Sequence, residues 1–223
     1  MTPRNAAGKP RPTPKKRELE KCGPEAYSAS MGVTASRPRI SIQDYYRTER
    51  DAVEKSDWYD GEMFNMVGGT TNHSAIKTNL AGILVVALRG RSCRPLDSDQ
   101  RLKIPSTGLR TYPDAAVYCG PIEYDPEDEQ GQTATNPTVV FEVLSDSTEA
   151  YDRGLRAEGY RGIPSLQAHM LISQHTPHIE LFERQNDGSW RFREVSGLGA
   201  TLRVEAIGVT LSLGELYDRV EFP

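Results

Sequence analysis

The sequence has little cysteine, no long apolar run and no excess of positive charge. Its three cysteines, Cys22, Cys93 and Cys119, form no CxxC pair, so we expect neither a disulfide framework nor a structural zinc site. A reducing cytoplasm fits this usage best. No apolar stretch approaches the roughly 18 residues that cross a membrane, and the polar N-terminus has no signal-peptide core. These absences predict a cytoplasmic protein with no membrane partner.

The charge balance is acidic, with a formal net charge of -4. This argues against a general nucleic-acid coat protein but not against a nuclease, whose carboxylates hold a metal. Residues 1–38 differ from the rest, because they are rich in Lys, Arg, Pro, Gly, Ala and Ser. We interpret them as a disordered basic tail, which either tethers DNA or has no selected role; the second interpretation is preferred. Residues 39–223 then form one globular domain.

Two local patterns predict how this domain begins. Ser41 can cap a helix whose first turn contains Asp44. The pair Asp60-Gly61 is typical of a tight turn, so the residues on either side are expected to form a β-hairpin.

A longer helix is expected from His73 to about Leu88, capped by Asn72 and ended near Gly90, because its apolar residues recur at helical spacing. The segment Ser147–Arg161 is polar and is also expected to be helical. The remaining signals predict strands, at Gln100–Ile104, Tyr112–Cys119, Thr138–Leu144, Ala168–Ser173, His178–Arg184, Ser189–Val195 and Leu202–Glu205.

Two of these strands carry an acid where an apolar residue would be expected. Asp114 lies near the start of one, and Glu142 interrupts the apolar run Val139–Leu144. A carboxylate is costly to bury unless it is paired or bound to a metal. Each acid alone is explained by a salt bridge or a surface position. Together, on adjacent strands, they predict an oxygen-lined site for Mg²⁺, with Mn²⁺ as the alternative.

With this acid pair, the sequence resembles the PD-(D/E)XK nuclease superfamily. It resembles more closely the Uma-two family of restriction-endonuclease-like proteins. The resemblance covers about residues 39 to 223. Its motifs are YDGE at Tyr59–Glu62, NHSAIKTNL at Asn72–Leu80, DSDQRLKI at Asp97–Ile104, YPDAAVYCG at Tyr112–Gly120, NPTVVFEVLSDSTEAYDRG at Asn136–Gly154, YRGIPSLQ at Tyr160–Gln167 and IGVTLSLGELYDRVEF at Ile207–Phe222.

The resemblance implies an α/β fold, a restriction-endonuclease-like mixed β-sheet flanked by helices. It also implies that Asp114 and Glu142 bind Mg²⁺, which activates a water for attack on a phosphodiester. The carbonyl of Val143 is expected to be a further ligand. Glu62 matches an acidic residue on the element before the core sheet. It is either a catalytic residue that acts as an outer-shell or second-metal partner, or a solvated hairpin carboxylate.

The sequence departs from the superfamily at its lysine. The position two residues after Glu142 is Leu144, and relatives instead have a Lys on the next helix, in a pattern like D-R-G-x-K-x-x-x-Y. Arg156 stands at that Lys position here. Arginine clamps phosphate and stabilises negative charge but does not transfer protons readily, so Arg156 is either a catalytic cation or a solvated helix residue. We prefer the first interpretation.

Other polar residues are candidates for an outer shell. His73 either faces the site or bonds backbone at the helix start, and the second is preferred. Asp99 and Arg101 either flank the site or pair with each other, and we expect the pair. Asp152 either orients the helix or hydrogen-bonds the arginine or the metal's waters, and both interpretations stay open. Tyr160 is expected to pack against the sheet.

These observations predict a Mg²⁺-dependent DNA endonuclease. The alternative is a nucleic-acid-binding or regulatory module of the same fold with an impaired catalytic centre, consistent with the Lys-to-Arg change. A homodimer is also expected, with Leu211–Leu216, Trp190 and Phe192 as candidates for its surface.

Overall fold

A computed structural model describes residues 39–66 and 68–222. The basic tail expected over residues 1–38 lies outside this described part, as does Cys22. The α-helices are α1 (Ile42–Asp51), α2 (Thr71–Leu88), α3 (Glu149–Tyr151), α4 (Ala157–Arg161) and α5 (Leu213–Leu216). A π-helical segment, Asp152–Arg156, joins α3 to α4, so the helical structure expected over Ser147–Arg161 is confirmed.

The strands form two mixed sheets and a separate pair. They are β1 (Ser56–Tyr59), β2 (Glu62–Asn65), β3 (Cys93–Asp97), β4 (Arg101–Lys103), β5 (Arg110–Thr111), β6 (Ala115–Cys119), β7 (Thr133–Ala134), β8 (Val139–Leu144), β9 (Ala168–Ser173), β10 (His178–Arg184), β11 (Trp190–Ser196), β12 (Thr201–Val204) and β13 (Val209–Ser212). The six-stranded sheet has the order β11-β10-β9-β8-β6-β3, and the five-stranded sheet β2-β1-β5-β4-β7. Neighbours are antiparallel except β8–β9 and β4–β7, which are parallel. The expected mixed α/β class is confirmed.

The first two local predictions are confirmed. Ser41 caps α1, because its Oγ accepts the backbone N–H of Asp44 at 3.1 Å. Asp60 and Gly61 have φ angles of 47° and 84°, which are the left-handed values that a two-residue hairpin turn requires. Tyr59 then faces Glu62 across the β1–β2 hairpin.

The start of α2 differs from the prediction. Thr70, not Asn72, caps the helix, and its Oγ1 accepts the N–H of His73 at 3.1 Å. The Asn72 side chain instead donates to the Glu221 carbonyl at 2.7 Å. Thr and Asn are both good caps, so sequence alone does not choose between neighbours. The helix ends at Leu88 and is followed by Gly90 with φ 75°.

The predicted strands at Ala168–Ser173 and His178–Arg184 are confirmed with their bounds. The one expected from Tyr112 begins only at Ala115, because Pro113 has no N–H for the ladder. β3 was not predicted, since it is polar and contains Pro95, which is typical of an edge strand.

The expectation that the cysteines form no disulfide is wrong for one pair. Cys93 on β3 lies directly opposite Cys119 on β6, and a disulfide joins them. Their sequence separation of 26 does not reveal this register, and β3 itself was not expected. No helix of the described residues is long and apolar enough to cross a bilayer.

Two apolar layers cover the faces of the six-stranded sheet. The α2 side chains Ile76, Leu80 and Leu84 are fully buried in the first layer, where they join alternate residues of β6 and β8. The same layer buries Leu211, Leu213 and Leu216, so these leucines do not form the proposed dimer surface. The second layer contains Tyr118, Val140 and Tyr160, and Trp190 packs against it. Phe192 is exposed, and the homodimer stays a prediction.

His169 on β9 is fully buried between the rings of Tyr160 and Phe182, and neither ring nitrogen has a hydrogen-bond partner among the described residues. Burial, reinforced by the charge of Arg161, lowers the pKa of His169 from 6.5 to about 3. The unfolded chain therefore binds the proton first, and folding stability is lost as the pH falls from 6.5 towards 3.

We expect His169→Phe to reduce this acid sensitivity. Between pH 6 and pH 4 the wild type should lose about 2 kcal/mol more unfolding free energy than the variant. Urea denaturation at both pH values measures the difference, and any constant packing offset cancels. Parallel pH curves for wild type and His169→Phe would contradict the prediction.

Candidate metal centre

The two predicted acids meet where the ladder between β6 and β8 ends. Its last pair is Ala115 with Phe141, so the next pair in this antiparallel register is Asp114 with Glu142. Beyond the last ladder pair, the two acidic side chains accept the hydrogen bonds that backbone carbonyls accept within the ladder. The Val143 N–H donates to Asp114 Oδ2 at 2.7 Å, and the Asp114 N–H donates to Glu142 Oε2 at 3.2 Å. The backbone itself therefore holds both carboxylates at one edge.

Glu142 is almost fully buried. Its Oε1 accepts the Tyr160 hydroxyl at 2.6 Å and lies 3.4 Å from an Arg156 nitrogen. Burial raises the pKa of Glu142 well above its usual range, while the charge of Arg156 acts in the opposite direction. The charge of this carboxylate is thus only partly compensated.

Asp114 has two basic residues beside it on α2. The Lys77 ammonium lies 3.0 Å from Oδ1, and the His73 Nε2 lies 3.3 Å from Oδ2. Burial acts to raise the pKa of Asp114, but the hydrogen bond and charge of His73, together with Lys77, outweigh it and lower the pKa. Asp114 therefore remains ionised at neutral pH.

Arg156 lies among three carboxylates and its side chain is only 6% exposed. One terminal nitrogen donates to Asp152 at 2.9 Å and reaches Glu142, and the other donates to Asp57 at 2.8 Å. Burial acts to lower the pKa of Arg156, but Glu142 and Asp57 outweigh it and raise the pKa. We call Asp57, Asp114, Glu142 and Asp152 the acid cluster. Arg156 is its buried counter-charge.

Several predicted outer residues join this cluster. His73 faces Asp114, although backbone bonding was the preferred interpretation. Asp152 accepts from both Arg156 and the Thr148 hydroxyl, so it holds the arginine. Tyr160 is packed as expected and also donates to Glu142. The Val143 carbonyl faces the Asp114 edge, because the N–H and C=O of one strand residue point to the same neighbour.

Other predicted residues lie elsewhere. Glu62 is exposed on the β1–β2 hairpin, and no hydrogen bond or ion pair among the described residues joins it to the acid cluster. The expected pair of Asp99 with Arg101 is wrong. Asp99 pairs with Lys55, while Arg101 is buried against Asp128 at 3.1 Å. Asp99 lies in the turn between β3 and β4, whereas Arg101 is the first residue of β4, so their side chains meet different partners.

Two residues of the site were missed. Asp57 lies on β1 of the other sheet, and nothing in its local sequence distinguishes it from Asp60. Lys77 had a usable signal, because it follows His73 by four residues, which places both on one helix face. That face continues into the buried stripe of α2, so it leads directly to the sheet.

A mixed sheet with paired acids at the end of two adjacent strands defines a nuclease-like α/β domain. Residues 42–214 match the model of the Uma2 family, described as "Putative restriction endonuclease". The chain belongs to this family. An uncharacterized protein of Synechocystis sp. is 34% identical over 190 residues, covering 85% of this chain and 97% of the relative. Another is 30% identical over 172 residues, covering 77% and 96%.

A solved structure supports the fold. The crystal structure of "a putative nuclease belonging to DUF820" from Anabaena variabilis matches with a TM-score of 0.59 and 17% identity, covering 74% of this chain and 91% of that one. The expected restriction-endonuclease-like architecture is therefore confirmed.

Removal of the buried arginine should destabilise the domain. We expect Arg156→Gln to lower the free energy of unfolding by about 3–5 kcal/mol, because it leaves buried carboxylates without their counter-charge. Arg156→Lys should recover only part of this loss, since one ammonium cannot reach all three acids in the geometry of a guanidinium. Urea denaturation at neutral pH provides the measurement.

Arg153 is the matched control, because it lies on the same helical segment and also pairs with two acids, Glu149 and Glu180, but its side chain is 39% exposed. Arg153→Gln should cost less than about 1 kcal/mol. Equal losses for the two arginine variants would show that Arg156 has no special structural role.

Proposed function

We propose that the protein is a Mg²⁺-dependent DNA endonuclease, with Mn²⁺ as the alternative metal, which hydrolyses phosphodiester bonds. The observation that carries the proposal is the placement of Asp114 directly opposite Glu142 where the β6–β8 ladder ends. Membership of a family described as "Putative restriction endonuclease" supports the choice of reaction and of DNA as substrate.

The donor set fits Mg²⁺. The acid cluster brings four carboxylates against the cations Arg156 and Lys77, and Asp57 Oδ1 is buried with no hydrogen-bond partner within residues 39–66 and 68–222. The same residues contain no group of three or more His, Cys, Asp or Glu arranged around one metal position. Mg²⁺ tolerates this, because it is usually bound by one or two carboxylates and keeps several waters. Asp114, Glu142 and the Val143 carbonyl would hold it.

When bound, the metal would supply an activated water and a Lewis acid for the phosphodiester. The residues of the chain have separate tasks around it. Tyr160 and Arg156 orient Glu142 through its Oε1, which leaves Oε2 at the Asp114 edge. The Val143 N–H orients Asp114. Such fixed orientation is what a catalytic metal site requires of its surroundings.

A second candidate is a DNA-binding or regulatory module with an impaired centre. It is favoured by one observation, that Arg156 already contacts three carboxylates and is buried. A cation in this position cannot clamp a phosphate without breaking these pairs. This candidate predicts DNA binding that survives Asp114→Ala, with no cleavage by the wild type. Cleavage by the wild type would exclude it.

We expect the wild type to nick supercoiled plasmid in Mg²⁺ or Mn²⁺ and not in EDTA. Asp114→Asn and Glu142→Gln keep side-chain size but remove the charge, so each should lower the cleavage rate by at least about 100-fold. Gel quantification of nicked plasmid over time measures the rate.

Glu62→Gln is the control, because Glu62 is exposed and makes no hydrogen bond or ion pair with the acid cluster among the described residues. We expect it to cleave within about threefold of the wild type. An intact nuclease whose rate is unaffected by Glu142→Gln would contradict the proposed site, and equal loss in Glu62→Gln would restore the role first expected for that residue.

A further inference from the structure

Lys77 is the more accessible of the two cations at the acid cluster. Its side chain is 27% exposed, against 6% for Arg156. It lies on the second turn of α2, and its ammonium reaches Asp114 Oδ1 at 3.0 Å and the Ser98 hydroxyl at 3.1 Å. The Ser98 carbonyl is held by Lys55 at 2.8 Å. The ammonium is thus positioned beside one proposed metal ligand by fixed contacts.

Arg156, in contrast to Lys77, has its terminal nitrogens occupied by contacts with buried residues of the protein. Both terminal nitrogens already bond carboxylates, and these come from three different elements. Its remaining nitrogen, Nε, is buried. Contact with a substrate phosphate would break ion pairs that neutralise the acid cluster, and the Arg156 side chain is almost fully buried.

The Lys77 ammonium has one N–H donor that its contacts with Asp114 and Ser98 do not use. It carries three N–H bonds, and two are accounted for by Asp114 and Ser98. No third acceptor for it is found in the described part of the chain. A lysine ammonium is a compact point charge that binds phosphate readily. The remaining donor is therefore available to a phosphate that approaches Asp114.

We propose that Lys77, rather than Arg156, is the catalytic cation that contacts the scissile phosphate, and that Arg156 serves only to neutralise and orient the carboxylates. This assignment rests on the proposed endonuclease function. The sequence pattern assigns both charge neutralisation and phosphate contact to Arg156, whereas this proposal assigns the first to Arg156 and the second to Lys77. The assignment to Lys77 also gives α2, which begins beside Asp114, a direct role in the reaction.

The test compares Lys77→Gln with Lys103→Gln. Lys103 makes the same kind of contact, 2.8 Å from Asp125, and its side chain is 18% exposed, but it lies outside the acid cluster. We expect Lys77→Gln to lower cleavage in Mg²⁺ by at least about 100-fold. Lys77→Arg keeps the charge and should retain at least about a tenth of the wild-type rate. Lys103→Gln should cleave like the wild type.

A second measurement does not depend on cleavage. Binding of a fluorescent 20-base-pair duplex in EDTA, by anisotropy at several salt concentrations, should be about fivefold weaker for Lys77→Gln than for Lys103→Gln. Its dependence on salt should also fall by about one phosphate contact. Lys77→Met, which has a similar stem and no charge, should reproduce both effects, and urea midpoints confirm that each variant is folded.

The outcomes separate the two proposals. If the wild type cleaves and Lys77→Gln cleaves like Lys103→Gln, the Lys77 assignment is overturned while the endonuclease stands. If the wild type does not cleave in any metal, the endonuclease proposal fails. The EDTA binding then decides whether Lys77 contacts phosphate, since equal affinities for the two variants overturn that as well.

Discussion

The ion pairs of Arg156 join three elements that the chain brings together from distant positions. Asp57 comes from β1 of the five-stranded sheet, Glu142 from β8 of the six-stranded sheet, and Asp152 from the π-helical segment. Each carboxylate is nearly buried, in a place where an acidic side chain is costly without a cation beside it. The guanidinium offers five donors in a rigid plane, which lets one side chain serve three acids. The placement of the two sheets and the π-helical segment relative to one another at this point thus depends on the buried charge of Arg156.

The acid pair depends on a different constraint, the end of a β-ladder. Where β6 and β8 separate, Asp114 and Val143 still have backbone groups that need partners, and the two acidic side chains supply part of them. An apolar residue at either position would leave an N–H unpaired in a buried place. The end of the ladder thus requires acceptor side chains at both positions and places the two carboxylates next to each other at one edge. A structural role is therefore compatible with the proposed metal-binding role of these two residues.

Sequence patterns could predict this pair because strand alternation and apolar context act locally. Glu142 inside an apolar run is visible without any tertiary information, and so is the hairpin turn at Asp60. Partners that come from other elements could not be predicted in this way. Asp57 reaches the site through a sheet-to-sheet contact, and Asp99 turns to Lys55 instead of its near neighbour Arg101. The Cys93–Cys119 bond was missed for the same reason, since it depends on the register of two strands.

The π-helical segment explains how one short helix presents three groups to one place. In an α-helix each four-residue step drifts by about 40° around the axis. Asp152, Arg156 and Tyr160 follow one another at two such steps, and in a regular helix the drift would turn the last away from the first. The wider π turn between Asp152 and Arg156 holds more residues per turn, so it offsets the drift of the following α-helical step. Arg156 and Tyr160 therefore both reach Glu142, while Asp152 accepts a hydrogen bond from Arg156. This geometry directs Arg156 inward, so the proposed contact with a substrate phosphate falls to a cation of another element. The helix α2, which begins beside Asp114, supplies Lys77 for it.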